Sequence, residues 1–331
     1  MRISFVGAGR WAIALGVRLA ANGHEISLWE FNAANLERLT STRGHPDLPE
    51  SVAVPASVAV TNDLGKAITG AQLIVFAVPS ETLAGVVRQV KDLSPRPQAI
   101  VTVTKGIEPT SLKRLSVTIS EAMPGLPVVV LAGPGIPYDV ALGDPTSLVA
   151  ASASDIAAAL VRDTFTGGNL RVYSHGDVVG VELGAALKNV IAIAAGVADG
   201  IGLRINAKAA LLTRGLAEIT RLGLAFNANP LTFAGLSGMG DLIVTAFSDH
   251  SRNHTLGVAI GRGKTTTIAL ASLAGVAEGA TTVRSARALA GSQRVEMPIT
   301  EEVYRMLYED VSPNDSMARL LRRSARQEIW K

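Results

Sequence analysis

The chain has 331 residues, of which 48% are hydrophobic, 18% charged and 4% aromatic, with a formal net charge of +3. That length holds two domains with separate cores, and the composition is that of a compact globular protein, not a disordered one. The absence of cysteine excludes disulfides, thiolate catalysis and thiolate metal sites. Five histidines in a chain without cysteine point to no metal, and sparse aromatics with no basic stripe argue against nucleic acid.

The chain opens on a strand pattern, Ile3–Val6, with no charged n-region before an apolar h-region, so a cytoplasmic protein without a signal peptide is expected. Gly7-Ala-Gly9-Arg10-Trp11-Ala12 follows in the form GxGxxA, directly before a helical pattern over Trp11–Ala21. A strand, such a turn and a helix N-terminus together bind a dinucleotide pyrophosphate. The second strand, Glu25–Trp29, is followed by Glu30, about 20 residues past the glycines, where a carboxylate bonds a ribose 2′-hydroxyl and repels a 2′-phosphate. NAD is therefore favoured over NADP.

A helix over Asn32–Leu39, a turn at Gly44-His-Pro-Asp47 and a strand at Val58–Val60 come next. Then follow a strand at Leu73–Val78 with a Pro79-containing loop, a helix at Glu81–Val90 and a turn at Ser94-Pro-Arg-Pro97. Strands are also expected at Ala99–Thr104, Val128–Leu131 and Ser147–Ala150, with a turn at Gly133-Pro134-Gly135 and a helix at Asp155–Arg162. Apolar strands alternating with helices predict a Rossmann-type α/β domain with a mostly parallel sheet. Lys105 stands at the carboxyl end of the fifth strand, where open α/β sheets bind ligands, although a surface turn explains it equally well.

From about residue 176 only helical patterns remain: 176–199, 206–222, 239–247, 252–261, 279–290, 299–309 and 313–329. An all-α second domain is expected, dividing the chain into 1–178 and 179–331. The helix Gly180-Val-Glu-Leu-Gly-Ala-Ala-Leu-Lys188-Asn189-Val-Ile-Ala-Ile-Ala-Ala-Gly196 is apolar, yet Lys188 and Asn189 interrupt it, so it reads as protein-buried and not as a membrane span. Gly184, Ala185, Ile191, Ala192 and Ala195 share the face of Lys188, and their small size predicts open space above it. A lysine so placed either titrates readily or packs its stem while its head reaches water. Gly238-Met-Gly-Asp241 offers a carboxylate or a helix cap, and Ser251-Arg252-Asn253 a phosphate site or an ordinary helix start. Arg319, Arg322, Arg323 and Arg326 read as a solvated face of the last helix.

Taken together, Gly180–Ala192, Gly238-Met-Gly-Asp241-Leu, Ser251-Arg252-Asn253, Thr104-Lys105-Gly106-Ile-Glu and Gly275-Val-Ala-Glu278-Gly resemble one family. It is the NAD(P)-dependent sn-glycerol-3-phosphate dehydrogenase of the bacterial type, and the likeness runs from Gly7 to about Glu278. The resemblance implies Lys188 as general acid/base, Lys105 as a substrate contact that polarises the carbonyl, and Asp241 as the residue orienting the amine. It implies substrate contacts at Gly133, Gly135, Ser251, Arg252 and Asn253. Cofactor contacts are implied at Gly7, Gly9, Arg10, Trp11, Glu30, Phe31, Lys105, Pro137, Arg252, Val276 and Glu278. The implied substrate is a phosphorylated triose, with NAD or NADP as cofactor, a homodimer as assembly and no stable membrane insertion. Product glycerol 3-phosphate would feed phospholipid synthesis.

The chain departs from the family where Ser-Gly-Pro-Ser-Phe-Ala is usual: here stands Ala132-Gly133-Pro134-Gly135-Ile136-Pro137. Phe31 also replaces an arginine common in the family, which agrees with Glu30 in favouring NAD. The altered loop supports an alternative, a related two-domain dehydrogenase acting on another small 2-oxo or phosphorylated substrate. A non-catalytic dinucleotide sensor is a third reading, against which stand Lys105, Lys188, Asp241 and Arg252 together.

Overall fold

An uninterrupted apolar strand such as Leu73-Ile-Val-Phe76 has no polar face, so it is stable only in a sheet covered on both sides. In the computed structural model, which describes residues 1–273, 275–324 and 327, that is what the first half of the chain builds. Its elements are β1 (Arg2–Val6), α1 (Arg10–Ala21), β2 (Glu25–Trp29), α2 (Ala33–Ser41), β3 (Ala59–Thr61), α3 (Leu64–Ile68), β4 (Leu73–Phe76) and α4 (Ser80–Asp92). They continue with β5 (Ala99–Thr102), α5 (Leu115–Ala122), β6 (Val128–Ala132), α6 (Pro137–Leu142), β7 (Thr146–Ala151), α7 (Asp155–Phe165) and β8 (Leu170–His175). The sheet order is β3-β2-β1-β4-β5-β6-β7-β8, parallel except where β7 runs antiparallel to β6. Leu73 and Val75 join the core layer under α1 and α7, while Ile74 and Phe76 join the layer under α4 and α5.

β1 is flanked by β2 and β4, so the chain reverses its winding there and opens a crevice at the strands' carboxyl ends. Gly7 fills that crevice's floor with φ +108°, and an added Cβ would lie 2.7 Å from the Ala77 carbonyl oxygen. Only glycine meets both conditions. β4 and β5 leave the ladder at Phe76 and Thr102, two residues earlier than expected. The residues beyond them turn into the crevice wall, where the Thr104 hydroxyl donates to the Val78 carbonyl at 2.8 Å. The edge strand β8 was not expected. Its alternation of buried Leu170 and Val172 with exposed Arg171 and Tyr173 spans too few residues to stand out.

The second half is helical: α8 (Val178–Gly200), α9 (Ile205–Ala225), α10 (Pro230–Phe233), a π turn at Leu236–Gly240, α11 (Asp241–Phe247) and α12 (Arg252–Gly261). α13 (Thr266–Ala271), α14 (Glu278–Ser292), α15 (Pro298–Tyr308) and α16 (Pro313–Leu321) complete it. Asp177 caps α8 by accepting from the Gly180 amide at 2.9 Å. Every residue from Gly180 to Ala198 is buried, and α8 is the axis around which the other helices pack. By length and composition Val178–Gly200 could cross a bilayer, but 89% of its apolar window is buried inside the protein. The window Pro230–Phe247 passes the same test, yet it is broken into α10, the π turn and α11.

Lys188 and Asn189 of α8 do line open space, but Gly184 does not leave the room expected of it. A methyl on Gly184 would lie 2.8 Å from the Ser237 carbonyl oxygen of the π turn. Gly196 and Gly200 face Gly257 and Gly261 of α12, and side chains there would overlap backbone atoms of the partner helix. Without Cβ atoms the two backbones come into direct contact, as in small-xxx-small crossings. His254 Nε2 of α12 also meets Asp199 Oδ2 of α8 at 2.7 Å, and Lys208 Nζ reaches the same oxygen at 2.6 Å.

The last helix ends at Leu321 instead of 329. Its arginines are not simply solvated: Arg319 grips Glu302 at 2.9 Å and Arg323 reaches Glu296 at 2.8 Å. Arg326 lies outside the described residues.

Candidate active site

The π turn delivers Asp241 at the first residue of α11 with 0% exposure. A carboxylate in that position commonly caps its own helix, but this one makes no such bond. Its oxygens are divided between two lysines instead: Lys188 Nζ donates to Oδ1 at 2.8 Å and Lys105 Nζ to Oδ2 at 2.6 Å. Lys188 also donates to the hydroxyl of Thr245, one turn further along α11, and that hydroxyl donates to the Asp241 carbonyl at 2.6 Å. Lys105 reaches the Gly133 carbonyl at 3.4 Å. An ammonium has three donors, so each lysine keeps one for a ligand.

Asp241 and Lys188, the latter 4% exposed, are thus buried together, with the partly buried Lys105 beside them. Burial pushes the Lys188 amine down to about 8, since desolvation outweighs the attraction of Asp241, and Lys105 adds repulsion. An amine near that value exchanges its proton close to neutral pH.

Lys105 and Lys188 open onto a cleft of about 520 Å³ between the two halves of the molecule. Arg10, Trp11, Gly135, Pro137, Ser251, Arg252, Asn253, Val276 and Glu278 line it, which gathers most of the residues singled out in the sequence. Ser251 caps α12 by accepting from the His254 amide at 3.3 Å, which sets Arg252 at the helix's first position. Asn253 accepts from the Gly279 amide at 2.9 Å and so ties α12 to the start of α14. Glu278 opens α14, and burial raises its carboxyl against the pull of Arg252, Lys105, Lys188 and Arg10. The Arg10 guanidinium falls to about 10, through burial first and repulsion from Arg252 second. Cations outnumber carboxylates at this surface, which favours an anionic ligand.

An adjoining cavity of about 1040 Å³ runs along Gly7, Gly9, Glu30, Phe31, Val78 and Pro79. The residues present fit a dinucleotide. An added Cβ on Gly9, the α1 N-cap, meets nothing within 4 Å, so space lies open before the helix N-terminus. Arg10 Nε and Trp11 Nε1 are buried beside it without a hydrogen-bond partner among the described residues. Glu30, 8% exposed, accepts from the Asn32 amide at 2.8 Å, and burial raises its carboxyl. Phe31 is 77% exposed at the rim.

Gly135 stands where the family's serine is usual, and here an added Cβ would lie 2.6 Å from the Trp11 ring. Sequence reasoning missed Thr245, Asn189, His45, Asp47 and His250 as cleft-lining residues. Thr245 had a signal, being four residues after Asp241 and so on the same helical face. His45 and Asp47 sat in a segment read only as a turn. Among the described residues no group of His, Cys, Asp or Glu could hold a metal ion.

A third cavity, about 670 Å³, lies between α8, α9, α15 and α16 and is mostly apolar. Its buried carboxylates are committed elsewhere. Glu218 accepts from the Ile299 and Thr300 amides at 2.6 and 3.1 Å, and Glu302 binds Arg305 and Arg319. The charged cleft is therefore the candidate chemical site.

A family model described as NAD-dependent glycerol-3-phosphate dehydrogenase N-terminus matches residues 2–158, and its C-terminus counterpart matches 177–318. Glycerol-3-phosphate dehydrogenase [NAD(P)+] of Thermoanaerobacter sp. is 43% identical, over 99% of this chain and 99% of the relative. An enzyme of the same name, numbered 2, from Salinibacter ruber is 44% identical, over 99% and 96%. The crystal structure of glycerol-3-phosphate dehydrogenase from Coxiella burnetii superposes with a TM-score of 0.94 at 32% identity, covering 97% of this chain and 99% of that one. The split carboxylate, the two lysines and the dinucleotide crevice therefore sit in a member of the NAD-dependent glycerol-3-phosphate dehydrogenase family, an NAD(P)-dependent oxidoreductase.

Proposed function

We propose that the protein interconverts dihydroxyacetone phosphate and sn-glycerol 3-phosphate, with Lys188 as the proton donor to the ketone oxygen and the acceptor in reverse. The observation that carries this reading is the Lys105–Asp241–Lys188 chain at 2.6 and 2.8 Å, which opens onto the cleft beside the dinucleotide crevice. Bound NAD(P)H supplies the hydride. Asp241 holds both amines at a fixed separation, so they meet a carbonyl oxygen already oriented and need little reorganisation as charge develops. Lys105 stabilises that charge while Lys188 gives the proton, and the neutral Lys188 amine then regains one from solvent. Arg252, with Ser251 and Asn253 at the α12 N-terminus, anchors the phosphate away from the reacting carbon. Gly133 and Gly135 shape the wall opposite.

Gly7, Gly9, Arg10, Trp11, Pro137, Val276 and Glu278 hold the cofactor, and Glu30 with Phe31 selects NAD over NADP. Residues 1–178 form the dinucleotide-binding domain and 179–331 the substrate domain. The protein works in the cytoplasm as a homodimer without stable membrane insertion, and its product enters glycerophospholipid synthesis. A mere dinucleotide sensor has no use for two lysine amines held on one buried carboxylate. Purified protein given dihydroxyacetone phosphate should consume NADH or NADPH at neutral pH. Cofactor binding without turnover on that substrate rejects the proposal.

A further inference from the structure

Tyr138 and His250 stack face to face beside the cleft, with ring centroids 4.0 Å apart and planes 12° from parallel. They belong to opposite halves of the molecule. Tyr138 is in the first turn of α6, directly after Pro137 of the cleft wall, and His250 directly precedes Ser251-Arg252-Asn253. The His250 segment is itself a tight turn: the His250 amide donates to the Ser248 hydroxyl at 3.2 Å and the Ser251 amide to the Ser248 carbonyl at 3.1 Å. A constraint on the His250 ring is therefore passed over one residue to the α12 cap. Within its own half α12 is held by its glycine crossing on α8, by His254 on Asp199 and by Asn253 on the Gly279 amide, and the ring stack links its N-terminus to the loop after β6. His250 is exposed and neither ring belongs to a hydrophobic core cluster, so the stack adds little to folding.

We propose that Tyr138 and His250 are a positioning pair that fixes the α12 N-terminus, and with it Arg252, relative to the loop after β6. This rests on Arg252 being the phosphate anchor. The stack requires two flat rings and no particular hydroxyl or imidazole nitrogen.

The test is steady-state kinetics of Tyr138→Ala, His250→Ala, the double variant, Tyr138→Phe and His250→Phe, with Arg252→Ala as comparator. Substrates are dihydroxyacetone phosphate and unphosphorylated dihydroxyacetone, with cofactor affinity and thermal melting recorded alongside. Each alanine variant should raise KM for the phosphorylated substrate about three- to tenfold, the range an aromatic pair contributes, with kcat within about twofold. Cofactor affinity, melting and kcat/KM on dihydroxyacetone should hold, the phenylalanine variants should behave as wild type, and the double variant should lose no more than either single. An unchanged KM in the alanine variants, while Arg252→Ala raises it, overturns the pair alone. So does an equal loss on dihydroxyacetone. If Arg252→Ala leaves KM unchanged, the anchor assignment falls and takes the pair with it.

Discussion

Raising the pH should separate the two directions of the reaction at Lys188. Its amine is held at about 8 against 10.5 in water, chiefly because burial disfavours the charged form. That difference biases the site against the ammonium by about 3 kcal/mol, at about 1.4 kcal/mol per pKa unit. At neutral pH the neutral amine is then roughly 300 times more abundant than on a free lysine, yet the ammonium still predominates. Ketone reduction consumes the ammonium, so kcat should be level below about 8 and fall above it; alcohol oxidation needs the neutral amine, so its kcat should rise toward about 8 and then level off. The assay is kcat against pH in both directions, with deuterated reduced cofactor to establish that hydride transfer limits the rate. Asp241→Asn removes the anion that favours the ammonium, so the midpoint should move to lower pH, though it belongs to the coupled cluster and not to one residue. Lys188→Ala should lose at least about a hundredfold in kcat while cofactor affinity holds. Parallel profiles in both directions with a full isotope effect, or a loss under about tenfold in Lys188→Ala, would refute the assignment. Stability carries the same sign: between about 8 and 10.5 the unfolded chain binds the extra proton, so this group's contribution to stability rises with pH over that window.

Glu30→Ala should narrow the preference for NADH over NADPH by at least about tenfold in kcat/KM, since it removes a carboxylate from the ribose end of the crevice. A wild-type protein that prefers NADPH would show that Glu30 does not select. Gly196→Ala places a methyl on the His254 carbonyl, so thermal melting should reveal a loss of about 3 kcal/mol or more. Gly291→Ala, in α14 with nothing within 4 Å of the new methyl, should gain up to about 1 kcal/mol. Equal shifts for the two would mean that the α8–α12 contact is looser than described. Glu182 accepts from Arg114 at 2.9 Å and from the Ser116 amide and hydroxyl at 2.8 and 2.6 Å, joining α8 to the start of α5. Glu182→Ala should cost about 3–5 kcal/mol in denaturant unfolding by leaving Arg114 without its carboxylate. Loss under about 1 kcal/mol would make that junction incidental.

The strand–glycine–helix opening was legible because each part is a local rule: an apolar run, a residue that tolerates φ +108°, and a helix that follows. β8 was not, since Leu170-Arg-Val-Tyr is too short a pattern to stand out from a loop, and only the free edge of β7 gives it a partner. The residues of the site were nameable one by one, yet Asp241 could not be told from a helix cap without its partners. Lys105 lies 136 positions away along the chain and Lys188 lies 53, and no sequence period connects such distances. Their meeting depends on a π turn, which turns the Asp241 carboxylate off its own helix end and toward α8.

The same dependence explains why the room beside Gly184 was misread. Composition says that Gly184, Ala185 and Ala192 take little room, but not who uses the room they give up. In the structure the π turn takes the room at Gly184, residues of β6 and β7 pack with Ala185, and α12 lies against the α8 backbone at Gly196 and Gly200. This close approach brings Asp241 and Thr245 within bonding distance of Lys188, and it excludes the water that would otherwise solvate the ammonium. Had the face stayed open, as the sequence suggested, the amine would keep its aqueous value and be almost wholly charged at neutral pH. Tight packing around the Lys188 stem, with the cleft open at its amine, is therefore what equips this lysine to exchange a proton.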